Sequence, residues 1–231
     1  MNRAKVIVHM HTSIDGKIDG EYGRQEKGQL SGEFYAQQLF RLSSANANGA
    51  TTVAKYAATG TLDLTPFEGA QVPYENWLPQ IQADTWDIAF DRQGRMAWTR
   101  NYFEYGGKKS RVIEVVTTQA SPAYLAFLQS LEIPYIIGGD QELNLELVLK
   151  ILKDYGIEAI SLAGGATIDG AFLKAGLVDE ISVVVTPFVS GDNAVPGIFN
   201  TNGQFVNQQF KIETMQALAD GGVYLRYVAK R

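Results

Sequence analysis

The sequence predicts an α/β protein built on a mainly parallel, mixed sheet with helices on both faces, a three-layer α/β/α arrangement. Three observations point there. Short apolar runs alternate with amphipathic stretches along most of the chain, the pattern of strands joined by helical crossovers. The stretch from Ile157 to Gly191 passes from an apolar strand through a Gly-Gly turn and a helix into a second apolar strand, the order of a right-handed βαβ unit. The two last strands, near Gln209 to Thr214 and Val223 to Ala229, lie close in sequence and pair antiparallel, which makes the sheet mixed.

Each element has a local reason. Lys5 to Met10 is an apolar opening strand stopped by the polar turn Thr12 to Lys17. Ser31 is expected to cap a helix running to about Leu42, with Phe34, Leu39 and Leu42 on its apolar side. Asn46 to Val53 reads as the next strand and turn. Residues 60 to 86 hold prolines without a clear period and read as an irregular insertion within a single domain spanning 1 to 231. Ile88 to Phe90 and Arg111 to Thr117 are strands, and Pro122 opens a helix through Leu131 at the one helical position that suits proline. Ile133 to Ile137 is a strand, and Asn144 caps a helix through Tyr155 that buries Leu145, Val148, Leu149 and Leu152. Ala159 to Leu162 is a strand too short to be a helix. After Gly164 and Gly165, Thr167 is expected to cap a helix whose buried face carries Ile168, Ala171, Phe172 and Ala175, with Gly176 ending it.

Composition narrows the function. With 45% hydrophobic and 19% charged residues the chain suits a globular protein with a full core. Its net charge of −5 and lack of a basic run argue against a nucleic-acid partner. No apolar window is long enough for a bilayer and the first residues lack a cleavage pattern, so a cytoplasmic location is the expectation. The absence of cysteine removes disulfides, thiolate nucleophiles and thiolate-bound metal, and no metal site is expected.

The glycine turn is the first candidate site. Glycines after a strand let the backbone turn sharply and bring bare N–H groups to an anion, and the following helix start favours phosphate. The same turn also serves many α/β folds as structure alone. His9 and His11, the chain's two histidines, are two apart on a strand and point to one face. They either donate a proton or bind substrate, or they are strand residues with satisfied ring nitrogens.

The string GGATIDGAFLKAGLVDEI followed by VTPFVSG resembles the signature of the riboflavin-pathway pyrimidine reductases, a dihydrofolate-reductase-like family that reduces a ribosylaminouracil with NADPH. Ser13 to Lys17, SIDGK, is similar to that family's SLDGK turn; NANGATTV resembles its cofactor-touching Gly-x-x-Thr-Val segment; Asp91 to Arg95 resembles a turn near the adenosine 2′-phosphate. The resemblance implies a dihydrofolate-reductase-like fold and a reductase domain without the zinc deaminase that often accompanies it, whose cysteines are missing here. It implies NADPH held by His11, Thr12, Gly49, Thr52, Arg92, Gly164, Gly165, Ala166, Thr167 and Ile168, a heterocyclic small-molecule substrate near Ser13, Lys17 and Arg41, His9 and Asp15 in the chemistry, and a homodimer. Hydride transfer to a C=N or C=O carbon is the implied reaction. This chain departs from the family on the substrate side: His9 replaces a lysine, Ala163 a glutamate, and no arginine follows the Thr-Val segment until Arg92. Reduction of another heterocycle, including a pterin facing Glu33, and NADPH sensing without turnover remain alternatives.

Overall fold

The computed structural model describes residues 2–230. In chain order it contains β1 (Lys5–Thr12), α1 (Gln29–Leu42), β2 (Ala45–Gly49), α2 (Ala50–Tyr56), β3 (Trp86–Phe90), β4 (Tyr102–Tyr105), β5 (Lys108–Val116), α3 (Pro122–Ser130), β6 (Tyr135–Ile137), α4 (Leu145–Asp154), β7 (Ala159–Leu162), α5 (Ala166–Lys174), β8 (Glu180–Val185), β9 (Phe210–Ala217) and β10 (Val223–Ala229). These fall into two units: Ser44–Glu158 with the segment ending at Ala4, and Lys5–Ser43 with the chain from Ala159 on. The α/β class holds in both, and no helix among the described residues is long and apolar enough to cross a membrane.

In the first unit β2, β3 and β5 run parallel, with Asp87 of β3 between Asn46 of β2 and Val112 of β5. The long β5 serves two partners on its outer edge: β4 pairs antiparallel along its start and β6 parallel along its end. The hairpin strand β4 and the helix α2 are additions to the sequence reading, which took Asn46 to Val53 as strand and turn. Gly49 is instead the N-cap of α2. Helix α3 starts as expected, with Pro122 in its first turn and the Ser121 hydroxyl accepting from Tyr124 N at 3.1 Å. Asn144 caps α4 through Leu147 N at 3.0 Å, and Leu145, Val148, Leu149 and Leu152 are buried. The residue 60–86 stretch is irregular but anchored. Its Trp77 pairs with Tyr135, its Asn76 side chain accepts from Ile137 N at 2.9 Å, and Leu62, Leu64 and Val72 pack on the core around Trp98 and Tyr124.

The second unit carries the order β7-β1-β8-β10-β9. β7, β1 and β8 are parallel, whereas β10 pairs antiparallel with β8 and with β9, the closing hairpin expected from sequence. Helix α1 runs back along the sheet. Gly28 at its start lies over Thr186 just past β8, Leu39 accepts from Ser161 Oγ, and Ser43 Oγ donates to Ala159 O at the start of β7. The cap assigned to Ser31 is corrected. The helix begins at Gln29 after Gly28, and Ser31 sits inside it, fully buried, with its N–H and hydroxyl donating to Asp220. Thr167 is likewise displaced as a cap: α5 begins at Ala166 after Gly165.

Asp87 is buried with one carboxyl oxygen unpartnered, and burial pushes its pKa up to about 7, against a hydrogen bond from Asn48. A carboxyl raised in the fold contributes stability fully below its unfolded value near 4 and loses it as pH rises through about 7. Asp87→Asn should therefore flatten the fall of melting temperature between about pH 5 and pH 8 relative to the parent protein; parallel curves for the two would show that Asp87 does not titrate in that window.

Candidate active site

Strand β1 presents different chemistry to each side because successive side chains alternate. His9 faces α1 and is fully buried. Its Nε2 lies 3.0 Å from the Tyr35 carbonyl, which can only accept, so this nitrogen carries the proton and Nδ1, 2.9 Å from Ser182 Oγ, accepts. Ser182 in turn lies 3.2 Å from Tyr224 Oη, and the His9 ring stacks on Tyr35 with centroids 4.5 Å apart. Burial lowers the His9 pKa to about 4, outweighing those hydrogen bonds, so the ring is neutral at physiological pH. His11 shares this face, between the rings of Tyr22 and Tyr35, and burial lowers its pKa against the charge of Asp220.

The SIDGK turn closes on itself and on a distant segment. Ser13 Oγ donates to Asp15 Oδ1 at 2.6 Å and accepts from Lys17 N at 3.0 Å, while Gly16 adopts φ +76° to complete the turn. Asp15 then accepts Ser190 N on one oxygen and Gly191 N on the other, each at 2.9 Å, and Ile14 N reaches Phe188 O at 2.7 Å. The Ser13 hydroxyl first, then the Ser190 and Gly191 N–H groups, hold the Asp15 pKa down to about 2. Lys17 donates its ammonium to Val195 O at 2.9 Å. The SIDGK and TPFVSG motifs are thus two halves of one clasp.

On the other face of β1, the Met10 side chain lies against Gly164, where a Cβ would come within 3.1 Å of Met10 Cε. Gly164 has φ +93°, a conformation that favours glycine, and its peptide to Gly165 is cis. Gly165 is the N-cap of α5 and no side chain caps the helix, so its first N–H groups point out of the turn unclaimed by a side chain. Thr12 is buried on the same face as Met10, and the turn after β7 stands beside the end of its parallel neighbour β1. The second unit therefore gathers Met10, Thr12 and Gly164 to Ile168 at the carboxyl ends of adjacent strands, with the clasped Ser13 to Lys17 turn directly following β1. Such strand ends are where open α/β sheets take ligands.

Two expected residues of this unit, Arg41 and Glu33, lie apart from the turn. Arg41 is exposed in the last turn of α1, near the opposite ends of the strands, so the structure does not bring it to Ser13 and Lys17. Glu33 is exposed and accepts from Gln29 Nε2 at 2.8 Å; it is not a buried carboxylate. In the first unit, Gly49 and Thr52 stand at the β2–α2 junction. Arg92 follows β3, its carbonyl accepting from Thr117 N and its guanidinium paired with the exposed Glu142. Asp91 accepts the N–H groups of Gln93, Arg95 and Met96, which folds the turn that carries Arg92.

The sequence reading missed several residues that shape this region. Tyr35, Ser182 and Tyr224 bind or support His9 but look like ordinary helix and strand positions. Ser190 and Gly191 act through backbone N–H groups, which no residue type advertises. Asp169 is fully buried in the first turn of α5 with neither carboxyl oxygen hydrogen-bonded. A signal for it existed: it stands three residues before Phe172, on the buried stripe.

Comparison with known proteins adds a family. The model of the RibD C-terminal domain matches residues 4–224. The 2,5-diamino-6-ribosylamino-4(3H)-pyrimidinone 5′-phosphate reductase of Methanothermobacter thermautotrophicus is 31% identical over 192 residues, 82% of this chain and 80% of that protein. The protein of the same name from Aquifex aeolicus is 28% identical over 207 residues, covering 88% and 85%. Among solved structures, a pyrimidine reductase-like protein from Corynebacterium diphtheriae superposes with a TM-score of 0.67 at 17% identity, over 100% of this chain and 93% of that one, a likeness of fold.

Replacing Asp15 with Ala should free the 190–191 segment. Hydrogen exchange at Ser190 and Gly191 should quicken by about tenfold or more, with a lowered melting temperature above pH 4; unchanged exchange would mean that the clasp does not hold this loop.

Proposed function

This chain belongs to the RibD C-terminal domain family and is an oxidoreductase, and we propose that it uses NADPH to reduce a ribosylaminopyrimidine 5′-phosphate. The observation that carries the cofactor part is the glycine turn: a helix start capped by Gly165 and by no side chain, beside Met10 and Thr12 at the strand ends. Bare N–H groups of Gly165, Ala166 and Thr167 suit a pyrophosphate, whereas Ile168 N already donates to Gly165 O at 3.1 Å, and the absence of side chains at Gly164 and Gly165 leaves the approach open. Arg92 suits the 2′-phosphate, since its present partner Glu142 is exposed and easily exchanged for a stronger anion. Thr12 joins the glycine turn on the Met10 face of β1, while His11 stands away from it, under α1 between Tyr22 and Tyr35; for Gly49 and Thr52 in the first unit the assignment rests on the family resemblance. When bound, the nicotinamide supplies the hydride.

The protein's own residues orient and shield. His9, neutral and with both nitrogens engaged, fixes α1 against β1 and is a positioning residue in this reading rather than a proton donor. Asp15 is also positional, since a carboxylate held near 2 is a poor acid at neutral pH. Ser13 and Lys17 border the substrate through the turn that Asp15 holds. The diaminopyrimidinone named for the two curated relatives is the first substrate to test, ahead of the uracil analogue suggested by the sequence motifs.

Purified protein should oxidise NADPH in the presence of 2,5-diamino-6-ribosylamino-4(3H)-pyrimidinone 5′-phosphate, followed by cofactor absorbance, and should do so more slowly with the uracil analogue. Oxidation with neither compound would reject the substrate class. Gly165→Val should weaken NADPH binding by about a hundredfold by placing a branched side chain in the turn. Arg92→Ala should weaken NADPH by about tenfold and NADH little, as expected for one charge-assisted hydrogen bond; equal losses for both would remove Arg92 from the 2′-phosphate.

A further inference from the structure

Behind the glycine turn lies a carboxyl group without a use in the function proposed so far. Asp169 is 0% exposed, and neither of its oxygens has a hydrogen-bond partner among the described residues. Its Oδ2 lies 3.7 Å from the position a Cβ on Gly164 would take, beside the Met10 thioether, so the carboxyl is aimed at the turn from inside the protein. The following residue, Gly170, has no space for a side chain against the Asn200 backbone, which fixes this part of α5 in place. An ionised carboxylate in such a setting has no hydrogen-bond donor among the described residues to stabilise it.

We propose that Asp169 is a proton-coupled element of the dinucleotide site: neutral while a phosphate is held at the Gly164 to Ile168 turn, and opposed to that phosphate once ionised. This rests on the assignment of the turn to the NADPH pyrophosphate. The physical reason is distance and medium. A negative charge beneath Gly164 acts on the turn through protein rather than through water, where Coulomb interactions are several times stronger. Burial raises the Asp169 pKa well above the ordinary carboxylate range. Among the described residues no charge offsets it: the Met10 thioether of β1 borders the same turn, the Asn200 backbone lies against the next residue, Gly170, and the cation of α5, Lys174, is exposed in the last turn. The helix start attracts a phosphate and an ionised Asp169 repels it, so binding of a phosphate favours the protonated acid.

The test compares NADPH affinity, read from cofactor fluorescence, for the parent protein and Asp169→Asn between about pH 6 and about pH 9. Asparagine matches the neutral acid in shape and cannot ionise. At the acidic end the two should bind within about threefold of each other; at the alkaline end the parent should be weaker than the variant by about tenfold or more. Inorganic pyrophosphate, read by its effect on melting temperature, should show the same divergence. Identical pH profiles for the two proteins, with NADPH bound by both, would overturn the role of Asp169 and leave the cofactor assignment standing. Absence of NADPH binding by the parent at any pH would overturn both. Should Asp169→Asn not fold, calorimetry of NADPH binding to the parent in two buffers of different ionisation enthalpy decides the matter at alkaline pH: net proton uptake on binding is the expected result, and zero uptake contradicts the proposal.

Discussion

The Asp15 carboxylate is the constraint on which the candidate site depends. It accepts one hydroxyl and two backbone N–H groups from Ser13, Ser190 and Gly191, joining segments that lie 175 residues apart in the chain. The Ser13 to Lys17 turn and the loop after β8 both leave the same end of the sheet, and either alone would be an exposed connection. A carboxylate receiving three donors holds them in one arrangement and stays ionised down to about pH 2. What looks in sequence like a pair of family signatures is in space a single joint.

The second organising feature is the two-sidedness of β1. Its odd-numbered His9 and His11 enter the layer beneath α1, where His9 bonds to Tyr35 and Ser182. Its even-numbered Met10 and Thr12 face the glycine turn instead. One strand thus carries a seam of packed rings on one side and meets the glycine turn on the other. This division matches the proposed reading, in which His9 positions α1 rather than supplying the proton.

Much of the fold was legible because its signals are local. Asn144 caps the helix it should, Pro122 sits where proline is tolerated, and the short links around the last two strands dictate an antiparallel pair. Glycine obscured two boundaries: Gly28 and Gly165 occupy N-cap positions that Ser31 and Thr167 seemed better suited to fill. Helix α2 was hidden by β-branched Thr51, Thr52 and Val53, residues whose local preference is for strands. In the candidate site, the glycine turn and the SIDGK turn were readable as residue types. Partners that act through a carbonyl or an N–H, such as Tyr35, Ser190 and Gly191, were not, and Arg41 matched in sequence while lying at the wrong ends of the strands. For Asp169 the spacing from Phe172 signalled burial, but not that both carboxyl oxygens would lack partners.

The central claim is that this protein delivers a hydride from NADPH to a ribosylaminopyrimidine phosphate. It is tested most directly by mass analysis of the product formed from NADPH deuterated at either face of nicotinamide C4. One of the two labelled cofactors should give a reduced product carrying a single deuterium on carbon, while the other gives unlabelled product. Unlabelled product from both, or no reduced product from either, would contradict the account.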